Sequence, residues 1–291
     1  FKAVGVLIFL PFIQPFVSLV EWTAADVPRQ IANAHTLFNI GITVLFLPCA
    51  GLLASVIAVL VPEDREKIGI FRAKYLDERM LDTPSLALGL AHREALRMAD
   101  IVSEMLTRTI DTFAAEESEL IEQIQKQDDQ VDTLDRDIKH YLTKLSQQGL
   151  TVEQSQREIG LLSFISNLEN IGDIVDKNLM ELAKKKLRNQ ANFSEPGREE
   201  IRLLHKHIQQ NLELAIAAFA SQDTTLARQV LERKPELSQT ERKLRQAHIQ
   251  RLHAGYRESI ATSDIHLDVL TNLKRINSHI TAMAYPILEG G

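Results

Sequence analysis

Two carboxylate pairs have the spacing of a cation site: Asp128 with Asp132, and Glu169 with Asp173. Residues four apart on a helix leave from the same face, so each pair projects its oxygens in one direction. Carboxylate oxygens are hard donors. Two such pairs on neighbouring helices would form an oxygen-rich site for a hard cation. The competing reading is a solvated acidic face, because Asp128, Asp129, Asp132, Asp135 and Asp137 crowd one stretch of chain. His205 and His207 are two apart and do not share a helix face, which argues against zinc. His248 and His253 are expected at the surface. No nucleophile–base arrangement or phosphate loop is present, so the expectation is a protein that is not an enzyme.

The elements that must hold these groups lie in the later part of a strongly segregated chain. Residues 1–61 carry only Lys2, Glu21, Asp26 and Arg29 as charges, while the rest holds 31 basic and 37 acidic side chains. The absence of a basic bias argues against nucleic acid as a partner. The apolar run 4–20 is interrupted by Pro11 and Pro15, and 21–30 is a polar connector. The run 31–61 would make about 45 Å of helix, more than the ~30 Å of a bilayer core. Residues 1–61 are therefore expected to be transmembrane. Arg65, Lys67, Arg72, Lys74 and Arg79 follow closely, so the positive-inside rule places the later region in the cytoplasm. His35 and Asn39 share a face of the second run, suited to helix–helix hydrogen bonding or to contact with a solute. The lone Cys49 forms no intramolecular disulfide.

After a connector over 62–83, apolar positions recur at helical spacing. Thr83 and Pro84 suit the start of a first helix, and Gly149 ends a second. Thr151 with Gln154 forms a capping box for a third, whose stripe is Ile159, Leu162, Leu168, Ile171, Val175, Leu179 and Leu182. The pattern then repeats. Val102, Leu106, Ile110 and Phe113 return as Ile208, Leu212, Ile216 and Phe219, an offset of 106, and Asn167-Leu168 returns as Asn272-Leu273, an offset of 105. The expected fold is all-α: transmembrane helices, then two three-helix repeats over 84–190 and 197–288, with an irregularity at Pro235. The offsets send Asp128, Asp132, Glu169 and Asp173 to Lys234, Ser238, Lys274 and Ser278. Ammonium groups and hydroxyls cannot hold a divalent cation, so any metal site belongs to the first repeat.

These residues carry a resemblance. The stretch from Ala32 through His35 and Phe38 to Asn39 resembles the A-x-A-H-x-x-F-N signature of bacterial sodium/phosphate cotransporters. The opening from Phe1 to Leu7 resembles the matching stretch of their first repeat, with Lys2 where Asn is usual. That family's Gln-Ser-Ser-Ser motifs are absent, so the chain reads as a C-terminal fragment, with His35 and Asn39 as candidates for substrate contact. The duplicated unit, Arg93-Glu94-Ala95-Leu96-Arg97-Met98 and Leu168-Glu169-Asn170-Ile171-Gly172-Asp173 resemble the PhoU family, whose E/D-x-x-x-D motifs bind metal. The resemblance implies sodium-dependent transport of inorganic phosphate in a bacterial inner membrane, with a cytoplasmic regulatory domain. It further implies a divalent or iron-type metal at Asp128, Asp132, Glu169 and Asp173. Inorganic phosphate, membrane lipid and a second copy of the chain are the expected partners. The competing reading is a membrane-anchored helical signalling or interaction protein without transport.

Overall fold

The computed structural model describes residues 10–46, 71–114 and 118–289, with the side chains of 45 and 46 excepted. The chain divides into two units, Phe1–Gly69 and Ile70–Gly291.

In the first unit a 3-10 turn, Leu10–Phe12, leads into helix α1 (Ile13–Thr23), followed by α2 (Val27–Phe46). The polar connector expected over 21–30 shrinks to residues 24–26, because both helices run into it. Gln30 donates to the Ala24 carbonyl at 2.8 Å and Asn33 to the Thr23 hydroxyl at 3.0 Å, which closes this hairpin. Among the described residues no helix is long and apolar enough to cross a membrane. This corrects the expected spans as far as they are described. α1 has 11 residues, and the 20 residues of α2 include Arg29, Gln30, Asn33, His35 and Asn39, which lower its hydropathy. The remainder of the expected spans, over 4–9 and 47–61, lies outside the described residues, as does Cys49.

The second unit is a helical bundle with no strand among the described residues. Its first three-helix set is α3 (Pro84–Thr112), α4 (Glu119–Leu145) and α5 (Val152–Asp173). The last of these continues through a π-helical stretch, Ile174–Met180, into α6 (Glu181–Arg188). The second set is α7 (Glu195–Ser221), α8 (Thr224–His253) and α10 (Ser263–Ala282), with short helices α9 (Arg257–Ala261) and α11 (Tyr285–Glu289). The Thr151–Gln154 capping box forms in both directions, and Gly149 takes the positive φ of 56° that ends the preceding turn. Thr83 stands at the N-cap of α3 without a side-chain bond, leaving Pro84 as the local start signal.

Met98, Val102, Met105 and Leu106 of α3 meet Ile124, Val131, Leu134 and Ile138 of α4 and Ile165, Leu168 and Ile171 of α5 in a core closed to solvent. Ile159 departs from its expected place and is 64% exposed. It stands nine residues before Leu168, about two and a half turns, and so on the opposite face. Helix α8 runs through Pro235 without a break, although proline has no N–H to donate one turn back.

Residues 71–82 form a strap across α3 and α4. Its anchor is Glu94, fully buried in α3, whose Oε2 accepts the backbone N–H groups of Lys74 at 2.7 Å and Tyr75 at 2.6 Å. Arg93 lies over the Tyr75 ring at 3.9 Å and Arg97 over Phe71 at 4.3 Å. From α4, Asp137 accepts the Ala73 N–H, Tyr141 donates to the Asp77 carbonyl, and Lys144 pairs with Glu78.

The second set buries His248, expected at the surface, in a polar cluster, while His253 is exposed. His248 is 1% exposed and stacks on His266 with centroids 4.3 Å apart. Arg251 forks onto Glu200 through two bonds of 2.5 and 2.7 Å, and the Ser263 hydroxyl is 3.0 Å from His248 Nε2. Burial, then the neighbouring His266 and Arg251, push the His248 imidazole down to about 4. The folded state therefore refuses a proton that the unfolded chain accepts below its ordinary 6.5. Stability contributed by the neutral ring is lost as pH falls from 6.5 towards 4. A His248→Gln variant should lose on the order of 1–2 kcal/mol less than wild type across that interval. Parallel thermal melts at pH 4.5 and 7 read the difference, and equal losses would exclude His248 as the acid-labile group.

Candidate metal centre

Helices α4 and α5 pack side by side in the first set, and three carboxylates meet between them. One oxygen from each of Asp128, Asp132 and Asp173 lies within 4.8 Å of the other two. Asp128 is 5% exposed, and its Oδ1 has no hydrogen-bond partner among the described residues. The close approach depends on Gly172. A Cβ built there would stand 2.7 Å from Asp128 Oδ1, so any side chain would push the carboxylate out of its cradle. Glu169 falls outside the trio, one turn earlier on α5. Burial raises its carboxyl first, and the charges of Asp173 and Asp135 add to that.

Burial and neighbouring charge act together on the two carboxylates of α4. Burial, followed by the charges of Asp132, Asp176 and Asp173, pushes the Asp128 carboxyl up to about 7, while Lys177 works against the rise. Burial likewise raises Asp132, with Lys177 opposing and Asp173 reinforcing. Lys177 is ion-paired with Asp173. Asp176 accepts a bond from Gln125 of α4 at 2.6 Å. A partly desolvated set of like charges with an orphaned oxygen fits a hard cation, which would supply the positive charge that the set lacks. Asp128, Asp132 and Asp173 would hold it.

Spacing on a single helix reveals Asp128–Asp132 but not Gly172, Asp176 or Lys177. Gly172 is four residues from Leu168 on the apolar stripe, and a glycine on a buried face is the one signal that points to a close approach.

The second repeat neutralises itself. Glu241 stands at the offset from Asp135, and Arg245 at the offset from Lys139. Arg245 donates to Glu241 at 2.8 Å and Lys274, the counterpart of Glu169, donates at 3.1 Å. Burial pushes the Glu241 carboxyl up, but the bonds from Arg245 and Lys274 outweigh it and hold it below the ordinary range. At this position of the second repeat, Arg245 and Lys274 supply the countercharge to the carboxylate.

His35 and Asn39 stay together in the first unit. Asn39 donates to the His35 carbonyl at 2.7 Å, and its amide nitrogen is 3.3 Å from His35 Nδ1. The pair is closed on itself within α2.

The PhoU domain family is matched twice, at residues 95–181 and 201–287, once for each three-helix set. The chain belongs to this family. It is 32% identical over 289 residues to YjbB of Salmonella typhimurium, a protein assigned provisionally to inorganic phosphate export. The match covers 99% of this chain and 53% of that relative. The chain therefore spans about half the length of the curated relative. It is also 20% identical over 205 residues to the Thermotoga maritima PhoU homolog 1, an accessory protein of a phosphate-specific transport system, covering 69% of this chain and 85% of that one. The crystal structure of PhoU from Pseudomonas aeruginosa superposes with a TM-score of 0.64 at 20% identity, over 69% of this chain and 94% of that one. The bundle is accordingly a PhoU fold, and the carboxylate trio lies inside its first copy.

Proposed function

We propose that this chain is the later part of a bacterial inner-membrane phosphate transporter, and that its PhoU bundle is a non-enzymatic regulatory domain that binds a divalent cation at Asp128, Asp132 and Asp173. The observation that carries the cation site is the buried, unpartnered Asp128 oxygen among three converging carboxylates. Similarity along the chain's length to a protein assigned to phosphate export supports the transport reading. In the first unit, Trp22, Val27, Ile31 and Val44 are exposed, and apolar surface of this kind suits contact with lipid or with further membrane helices. Sodium coupling rests on the resemblance of the stretch from Ala32 to Asn39 to sodium/phosphate cotransporters.

Labelled phosphate flux in vesicles containing the full-length protein, with and without a sodium gradient, tests the transport reading and its direction. Flux indifferent to sodium removes the symport mechanism, and no flux at all leaves a membrane-anchored regulator. For the cation site, the Asp132→Ala plus Asp173→Ala double variant should bind Mn2+ about 100-fold more weakly than wild type by calorimetry. Unchanged binding would place the metal elsewhere or nowhere.

A further inference from the structure

Lys177 is the cation nearest the trio by its effects. It is ion-paired with Asp173, and its charge bears on both Asp128 and Asp132. The neighbouring Lys139 is engaged elsewhere, 2.7 Å from Asp135. The Lys177 side chain is 59% exposed, so it can swing into solvent without giving up much buried surface. We propose that Lys177 is a tethered counter-cation standing at the mouth of the trio, and that a divalent ion binds there only by displacing it. The proposal rests on the cation site argued above.

Two further observations support it. The first is internal to the duplicated chain. At the offset that takes Asp173 to Ser278, Lys177 falls on Ala282, flanked by Thr281 and Met283. Where the trio is missing, the lysine is missing too. A lysine retained merely to cover helix surface would have no reason to follow the carboxylates. The second is where Lys177 sits. It lies within the π-helical stretch Ile174–Met180, and π turns are rare and concentrate at functional sites. The residues on either side of it are tied to different helices. Asp176 accepts from Gln125 of α4, and Asn178 accepts from Arg275 of α10 at 3.4 Å. The segment that carries Lys177 is thus bonded to helices of both repeats.

A divalent ion must overcome both its own dehydration and the loss of the Lys177–Asp173 pair. Removing the ammonium while keeping the aliphatic stem removes the second cost. Mn2+ titrations of the full chain by calorimetry should show Lys177→Met and Lys177→Gln binding about ten-fold or more tightly than wild type, with Lys177→Arg near wild type. Hydrogen exchange over 174–180 should change on Mn2+ addition in wild type and much less in Lys177→Met. If wild type binds Mn2+ and both neutral variants bind equally or more weakly, Lys177 is a ligand-side support and the proposal is overturned while the site stands. If neither wild type nor the neutral variants bind Mn2+, the site itself is refuted, and the proposal with it.

Discussion

Replacing Glu94 with alanine is expected to free residues 71–82 from the bundle and to destabilise the second unit by about 3 kcal/mol. Three bonds converge on this one buried carboxylate: the Lys74 and Tyr75 N–H groups on Oε2, and the Arg97 guanidinium, 2.6 Å away, on Oε1. Alanine leaves the two amides without their acceptor and the guanidinium with only the Arg72 carbonyl; a hydrogen bond to a charged group is worth about 1.5–3 kcal/mol, and these partly exposed donors recover some of that from water. In a unit of this size a loss of about 3 kcal/mol is a fall in Tm of about 6–12 °C. The Arg93–Tyr75 and Arg97–Phe71 stacks should weaken with it, because both depend on the strap lying where Glu94 holds it. Glutamine keeps a carbonyl for the two amides but turns its NH2 toward Arg97, losing that bond and the charge assistance, so Glu94→Gln should cost about 1–2 kcal/mol, less than alanine. Limited trypsin digestion gives an independent reading, since Arg72 and Lys74 lie inside the strap and become cleavable on release. An alanine variant that melts with wild type and keeps both sites protected would show that the strap is held by α4 alone.

Asp128→Asn should move metal binding and metal-free stability in opposite directions. Loss of a buried anionic ligand should weaken Mn2+ binding on the order of 100-fold. Without metal, however, the native carboxylate is a liability. Its folded-state value of about 7 exceeds the ordinary 3.8, so the folded state holds the proton more tightly than the unfolded chain does. The stability this provides is fully present below about pH 4 and is lost as pH rises through 7. An amide escapes that loss. At pH 8 without metal the asparagine variant should therefore be more stable by about 1–2 kcal/mol, or 3–6 °C in Tm. The gap should narrow as pH falls and close below about pH 4. Adding Mn2+ at pH 8 should raise the wild-type Tm and leave the variant where it was. A metal-free Asp128→Asn protein less stable than wild type at pH 8 would mean that the carboxylate has a partner that stabilises its charge.

Much of this molecule is legible along the chain because helical periodicity is a local property. Apolar residues at three- and four-residue spacing mark the long helices, and Thr151 with Gln154 marks a helix start. The 105- and 106-residue offsets mark the duplication, and the four-residue spacing of Asp128 and Asp132 marks a shared face. The loss of the acidic set in the second copy follows from the same offsets. Distances between helices are another matter, since no spacing on one helix states what stands opposite. Only packing brings Asp173 to Asp128 and Asp132 while leaving Glu169 aside, and only packing sets Gly172 against the Asp128 carboxylate. The strap bond from Ala73 to Asp137 joins residues 64 apart in sequence. His248, polar and unremarkable in its stretch of α8, becomes a core residue because His266 comes to lie beside it. The sequence alone thus determined which faces exist, since each follows from the period of one helix. The tertiary structure decided which faces meet, because burial, charge pairing and the space left by a missing Cβ arise only when separate helices close on one another.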